Sequence, residues 1–231
     1  MEGVRIACLY SYGCPELEKI QKQNVVLDFI KNPQDNKCSL VKETLKGLNP
    51  FLFYQLIGLQ NDIEDPFEEK VVRTYWLGGG FLKTITKKDV QNLLAQKNLQ
   101  IHSLHLTRIS DLINGKAHHN FETILLLKGI RDFQKLTREF IEKLNDCLVR
   151  AGKVISVGHW AFKVRTKSIS FKKGEIVFED SLELIPFDLL REIKTGDFIS
   201  IHLCRAREKI GKETAENLIE ITKEAISFFQ G

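Results

Sequence analysis

The spacing of apolar residues changes close to residue 147 of this chain. Before that point apolar residues recur three or four positions apart, which is the period of an amphipathic helix. After it, short segments alternate between apolar and polar residues, which is the period of a β-strand. The pattern predicts an α+β multidomain protein. Residues 1–146 form an all-α helical domain, and residues 147–231 form a small OB-like β-barrel with a C-terminal helix.

Prolines mark two of the predicted helix starts in the first part of the chain. Cys14-Pro15 places proline at the first position of a helix, and apolar residues continue at helical spacing to Ile30. Asn49-Pro50 predicts a break before the apolar run Phe51 to Leu59. That run is too hydrophobic for a surface segment, so we expect it to lie in the core.

Capping residues mark the later helix starts. Asp65-Pro66 combines an N-cap aspartate with a proline at the first helical position, so we predict a helix beginning there. Thr86 and Asp89 have the spacing of a capping box, with aspartate in place of glutamate, which predicts another helix. Helical spacing from Asp132 to Val149 closes the first domain and places Cys147 on the apolar stripe.

The C-terminal part alternates in the manner of strands. In the segment Phe198 to Cys204, the residues Ile199, Ile201 and Leu203 share one face, which we expect to lie inside. His202 and Cys204 then lie on the more polar face, where His202 is either a ligand or solvated. From Lys212 to Phe229, apolar residues at spacings of three and four predict a terminal helix that packs on another element.

Composition indicates an ordinary globular protein. Of its 231 residues 43% are hydrophobic and 28% charged, and the net charge is only +4, which gives little support for a nucleic-acid or anionic-membrane partner. No apolar stretch approaches the roughly 18 residues of a membrane span, and no signal peptide is visible. The five cysteines form an odd set without regular spacing, which favours reduced thiols in the cytoplasm.

Several residues are candidates for chemistry. His118 and His119 invite interpretation as metal ligands, although adjacent residues on a helix point about 100° apart, so one metal rarely binds both. The alternative is a hydrogen-bonded pair at a helix entry. Cys147 is either a functional thiol or a buried structural one, and spacing alone does not choose between the two.

Two motifs in the last third of the chain resemble the HypC/HupF family of hydrogenase maturation chaperones. The family begins Met-Cys-Leu-Ala-Ile-Pro-Gly-Lys-Val, and the segment Cys147–Val154 repeats its Cys-Leu and Gly-Lys-Val parts without a gap. The family also has a Gly-Asp-Tyr-Val-x-Val-His strand, which the segment Gly196–His202 matches. Departures are the internal position of the cysteine, Ala151 in place of the family's proline, and the additional residues 1–146.

The resemblance implies a small barrel followed by a helix and a role in handling iron that carries cyanide and carbonyl ligands. Cys147 and His202 take the positions of the family's functional cysteine and histidine. A thiolate and an imidazole suit low-spin iron and leave room for diatomic ligands. The partners implied are hydrogenase maturation proteins or the precursor of the hydrogenase large subunit. We predict partner contacts at Gly152, Lys153, Val154 and Cys204, and we expect no turnover of a substrate.

Two other functions remain open. Small barrels often bind single strands, and basic residues lie near aromatic ones in a set made of Lys163, Arg165, Lys167, Lys172 and Lys173 with Trp160, Phe162 and Phe171. Alternatively, the chain is a thiol-dependent enzyme that uses Cys14, whose place at a helix start can lower the pKa of a thiol.

Overall fold

The structure, a computed structural model, describes residues 1–86, 88–90, 92, 116–128, 137–172, 175–190 and 192–230. It consists of two compact units, Met1–His118 and His119–Gly231. The boundary expected at residues 146 and 147 falls inside the second unit. Two helices of the expected helical domain belong instead with the strands, because they pack on the sheet and on the terminal helix.

The first unit is helical in the part of it that is described. Its helices are α1 (Glu2–Ser11), α2 (Pro15–Lys19), α3 (Gln23–Lys31), α4 (Asp35–Lys46), α5 (Pro50–Leu59) and α6 (Glu69–Leu77), followed by a 3-10 turn at Gly80–Thr84. Helix α1 is buried along most of its length and packs on α3, α4 and α6. It is therefore the central helix of this unit.

Two predicted helix boundaries in the first unit were wrong. The helix expected from Cys14 to Ile30 is interrupted, because Gln21 has a left-handed φ of 56° between α2 and α3. The helix expected from Asp65 begins at Glu69. Asp65 Oδ1 instead accepts a hydrogen bond from the backbone N–H of Phe67 at 2.9 Å, which closes a local turn ahead of the helix.

The capping box predicted at Thr86 and Asp89 is confirmed. The backbone N–H of Thr86 donates to Asp89 Oδ2 at 2.8 Å, and the backbone N–H of Asp89 donates to Thr86 Oγ1 at 3.3 Å. This exchange satisfies two N–H groups that a helix start otherwise leaves unpaired.

The second unit combines helices with one sheet. Its elements are α7 (His119–Lys128), α8 (Arg138–Cys147), β1 (Arg150–Val157), β2 (Ala161–Lys172), β3 (Glu175–Pro186), β4 (Phe198–His202), β5 (Arg205–Ile210) and α9 (Lys212–Gln230). The protein is thus α+β, as predicted, and the terminal helix is confirmed with nearly the expected bounds. In α9 the buried residues include Ala215, Leu218, Thr222 and Ala225.

The five strands form an antiparallel sheet in the order β3-β2-β1-β4-β5. The sheet is open: within the described part of the chain no ladder joins β3 to β5, so the strands predicted as a small OB-like barrel form an open sheet. Its core is aliphatic apart from Phe162 and includes Val154, Val164, Ile199 and Ile201.

The described helices include none that is both long and apolar enough to cross a membrane. The long helix α9 is amphipathic, with charged residues such as Glu216 and Lys223 between its buried positions. Its apolar side packs against α7, β1, β3 and β4.

Candidate functional site

Cys147 is the last residue of helix α8. Thr137 is the N-cap of this helix, and its hydroxyl accepts a hydrogen bond from the backbone N–H of Phe140 at 3.2 Å. Leu148 and Val149, which follow the cysteine, are completely buried and lead directly into β1. The Cys147 side chain itself is half-buried. The apolar spacing placed this thiol on the apolar stripe of the helix, and in the structure it lies at the rim of the core rather than fully inside it.

His119 contacts the residues of both predicted iron ligands. Its Nε2 lies 2.9 Å from the backbone carbonyl oxygen of Cys147, and its ring lies edge-on to the ring of His202, with the centroids 5.1 Å apart. A carbonyl oxygen only accepts, so Nε2 of His119 carries the proton. The Cys147 backbone and the His202 imidazole thus meet the same side chain.

His202 is buried, with 3% of its surface exposed, whereas the alternation in β4 suggested a more polar face. Ser200, two positions before it on the same face, is fully buried as well. The reason is tertiary, since α9 packs on β4 and His119 of α7 covers the His202 ring. The solvated alternative for His202 was therefore wrong.

The turn between β4 and β5 is tied to the end of α8. Leu203 and Cys204 both have left-handed φ values, 52° and 57°, as a tight hairpin turn requires. The Leu203 N–H donates to the backbone carbonyl of Asp146 at 2.7 Å, and the Cys204 thiol donates to Asp146 Oδ1 at 2.8 Å. Asp146, the residue before Cys147, therefore holds the turn that contains Cys204 against the end of α8.

The electrostatics of this region favour neutral groups. Burial, with the neighbouring Asp146 carboxylate, raises the pKa of the Cys147 thiol. Burial also raises the pKa of Cys204 to about 11, helped by its hydrogen bond to Asp146 and the charge of that carboxylate. Burial lowers the pKa of His119 to about 4, opposed by its hydrogen bond to Cys147. At neutral pH these residues therefore carry protonated thiols and a neutral imidazole.

Two asparagines hold the backbone around this region, and the sequence analysis missed the role of both. Asn120 donates to the Val149 carbonyl at 2.8 Å and accepts from the Val149 N–H at 2.9 Å. It also donates to Thr222 Oγ1 at 2.8 Å. Asn145 binds both backbone groups of Ile169 in the same manner, at 2.7 and 2.6 Å. No local pattern distinguishes such residues from surface asparagines.

A buried ion pair lies beside Cys204. Arg150 and Glu183 form a bidentate pair, with 2.9 Å between Nη2 and Oε2, and only 3% of the Arg150 side chain is exposed. The charges of both residues act on the Cys204 thiol. Arg207, which is completely buried, donates to the backbone carbonyl of His202 at 2.9 Å. The buried Arg207 side chain thus stabilises the backbone just before the β4–β5 turn, and the Arg150–Glu183 pair lies close to Cys204 in that turn.

The structure separates the four predicted partner contacts into two pairs. Gly152 and Val154 are buried in β1, and a Cβ on Gly152 would overlap the side chain of Val164. The glycine therefore allows β1 to lie close to the side chain of β2. Lys153 and Cys204 are exposed, and Lys153 Nζ lies 5.8 Å from the ring centroid of Phe198.

His118 and His119 are the other histidines proposed as metal ligands. His118 is fully buried and belongs to the first unit, whereas His119 belongs to the second. His102 and His105 lie outside the described residues. In the described ranges, no group of three or more His, Cys, Asp or Glu side chains is arranged to hold a metal ion.

Some of the groups on which the two alternative functions rested are buried or paired in the structure, and Lys173 lies outside the described residues. Phe162 is completely buried, so it offers no ring to a base. Lys167 and Lys172 form ion pairs with Asp180 and Glu179, at 2.8 and 2.5 Å. Cys14 is half-buried at the N-cap of α2, which is only five residues long.

Comparison with curated proteins and with solved structures found no significant match. One family model does match, over residues 15–230, and its description is a family of unknown function (DUF6390). The match covers nearly all of both units. The chain therefore belongs to the DUF6390 family.

Proposed function

We propose that this chain is an accessory protein, or chaperone, in the assembly of the metal centre of nickel–iron hydrogenase. It acts in the cytoplasm, binds a maturation protein or the large-subunit precursor, and turns over no substrate. The proposal rests on the Cys147–Val154 segment and on the strand that ends at His202. A fold or a family of unknown function does not by itself indicate this role, so the support comes from the residues of the site.

The observation that supports the proposal is that the backbone carbonyl of Cys147 and the ring of His202 both contact His119. Cys147 and His202 are 55 positions apart in the chain, as their numbers give. One imidazole therefore joins the two segments that hold the proposed donors, as a shared ligand set requires.

The cargo in this proposal is iron with cyanide and carbonyl ligands. The Cys147 thiol, protonated at neutral pH, loses its proton when it binds the metal, so loading releases a proton and becomes more favourable as pH rises. Two protein donors leave coordination positions for the diatomic ligands and for the next protein. His202 is buried, so in this proposal iron reaches it only when the β4–β5 turn moves.

The test uses the full chain purified from cells that assemble the hydrogenase. We expect infrared bands of bound cyanide and carbonyl in the wild-type protein, together with co-purifying maturation proteins. Cys147→Ala and His202→Gln should each abolish those bands, because each removes one of two protein donors. Circular dichroism shows whether the variants remain folded.

Cys38→Ser is the matched control, since it removes a half-buried thiol from the other unit. It should keep both the bands and the partner. Wild-type protein without the bands, or a Cys147→Ala variant that retains them, contradicts the proposal.

A further inference from the structure

One face of the β1–β2–β3 part of the sheet exposes apolar side chains to solvent. Leu182 and Leu184 of β3 are each 59% exposed, although both lie in the middle of a long strand. Single exposed apolar residues are ordinary, but two neighbouring leucines on one face of a strand indicate an interaction surface.

The strand register places cations directly beside these leucines. Leu184 pairs with Lys163 and Leu182 pairs with Arg165, so each leucine lies next to a basic residue on the same face. Arg165 also pairs with Lys153 of β1. The intervening residues point the other way, as Phe162 and Val164 are completely buried. We call this surface the Leu182 face: Lys153, Lys163, Arg165, Leu182 and Leu184.

Two cations of the Leu182 face, Lys163 and Arg165, form no ion pair with a described carboxylate, although the charge of Arg165 acts on Asp180. Farther along the same hairpin, by contrast, Lys167 pairs with Asp180 at 2.8 Å and Lys172 pairs with Glu179 at 2.5 Å. The hairpin therefore has a neutralised end and a cationic, apolar end.

We propose that the Leu182 face is a docking surface for a protein segment that presents apolar side chains flanked by carboxylates. Leucines surrounded by cations are complementary to such a segment in both hydrophobicity and charge. Arginine is among the residues that most often dominate protein interfaces. This inference goes beyond the proposed iron chemistry, because none of these side chains takes part in the contacts of Cys147 and His202.

A protein partner fits the face better than a nucleic acid does. Bases stack on flat aromatic rings, and Leu182 and Leu184 offer none. Phe162, the aromatic residue next to Lys163 in β2, points into the core instead. Burial of two aliphatic side chains is instead the ordinary driving force for protein association.

The test measures binding of a short synthetic peptide of alternating Glu and Leu residues to the full chain. Fluorescence anisotropy at low salt gives the affinity, and NMR shift changes locate the contact. We expect shifts at Lys163, Arg165, Leu182 and Leu184. Lys163→Glu combined with Arg165→Glu should weaken binding by about tenfold or more, and the same variant should gain binding to a peptide of alternating Lys and Leu.

Matched variants separate the proposal from general electrostatics. Lys22→Glu combined with Lys31→Glu makes the same charge change at exposed positions of the first unit and should leave the affinity unchanged. Leu182→Ser combined with Leu184→Ser keeps the charge and should still weaken binding severalfold. Equal loss in the Lys22/Lys31 variant, no loss in the leucine variant, or binding of oligo-dT in preference to the acidic peptide would each overturn it.

Discussion

The two units of this protein have different interiors. In the first unit aromatic rings pack on one another: Tyr10 and Trp76 stack with their centroids 5.1 Å apart, and Phe53 and Tyr75 do so at 5.4 Å. The Trp76 indole N–H donates to the Tyr54 hydroxyl at 2.6 Å within this cluster. An interior of this kind is stabilised mainly by apolar contact area.

The second unit buries polar and charged side chains. Asn120, Arg207 and Ser200 are completely buried there, and His202 nearly so. Such groups are stable only when their hydrogen bonds are made, so each fixes the position of a backbone segment. Apolar packing therefore stabilises the first unit, whereas the second unit also depends on specific polar contacts. The candidate site lies in the second unit.

The largest expected effect is that of Asn120→Ala. The substitution leaves the N–H and C=O of Val149 buried without their partner and removes the bond to Thr222. We expect a loss of about 3–5 kcal/mol in the free energy of unfolding of the second unit. Native-state hydrogen exchange, resolved for individual amides, measures the two units separately.

Asn145→Ala is the matched control for Asn120→Ala. Asn145 binds both backbone groups of Ile169 but is only half-buried, so water replaces part of what is lost. We expect the free energy of unfolding of the second unit to fall by about 1–2 kcal/mol. Equal losses in the two variants would show that the burial of the asparagine does not set the size of the loss.

The next effect is a pH dependence confined to the second unit. His119 has a pKa of about 4 in the folded protein, against 6.5 when unfolded, so falling pH protonates the unfolded state first. The contribution of His119 to the free energy of unfolding is thus fully present above about pH 6.5. It decreases by roughly 3 kcal/mol as the pH falls to about 4. Denaturant unfolding at several pH values measures this loss.

His119→Gln tests the origin of that dependence. Glutamine retains an N–H that can donate to the Cys147 carbonyl but does not titrate. The variant should lose most of the decline between pH 6.5 and 4. A His119 pKa near 6.5 in an NMR titration would contradict the buried, neutral state.

The smallest effect is expected in the aromatic interior. Tyr54→Phe removes the acceptor of the Trp76 indole but keeps the ring packing. We expect a loss of about 1–2 kcal/mol for the first unit, without change in the second. The protein has two tryptophans, so Trp160→Phe makes Trp76 the single fluorescent reporter of this unit. A loss as large as that of Asn120→Ala would remove the contrast between the two interiors.

Local signals predicted some elements well. The capping box at Thr86 and Asp89 and the helix from Lys212 are both present, because each depends on neighbouring residues alone. Helix α1 was not predicted, since it is apolar on nearly every side and lacks a clear helical period. Asp65 misled the prediction because an aspartate before proline can close a turn as well as cap a helix.

Periodicity and motif order were enough to establish the α+β class, the terminal helix and the candidate pair Cys147 and His202. The tertiary structure alone decided that His119 contacts both residues, that α9 packs on β4, and that Asn120 binds Val149 and Thr222. The physical reason is the distance along the chain. A helical or strand period follows from neighbours a few residues apart, whereas the contacts of His119 and Asn120 join residues 28 to 102 positions apart, which only packing brings together.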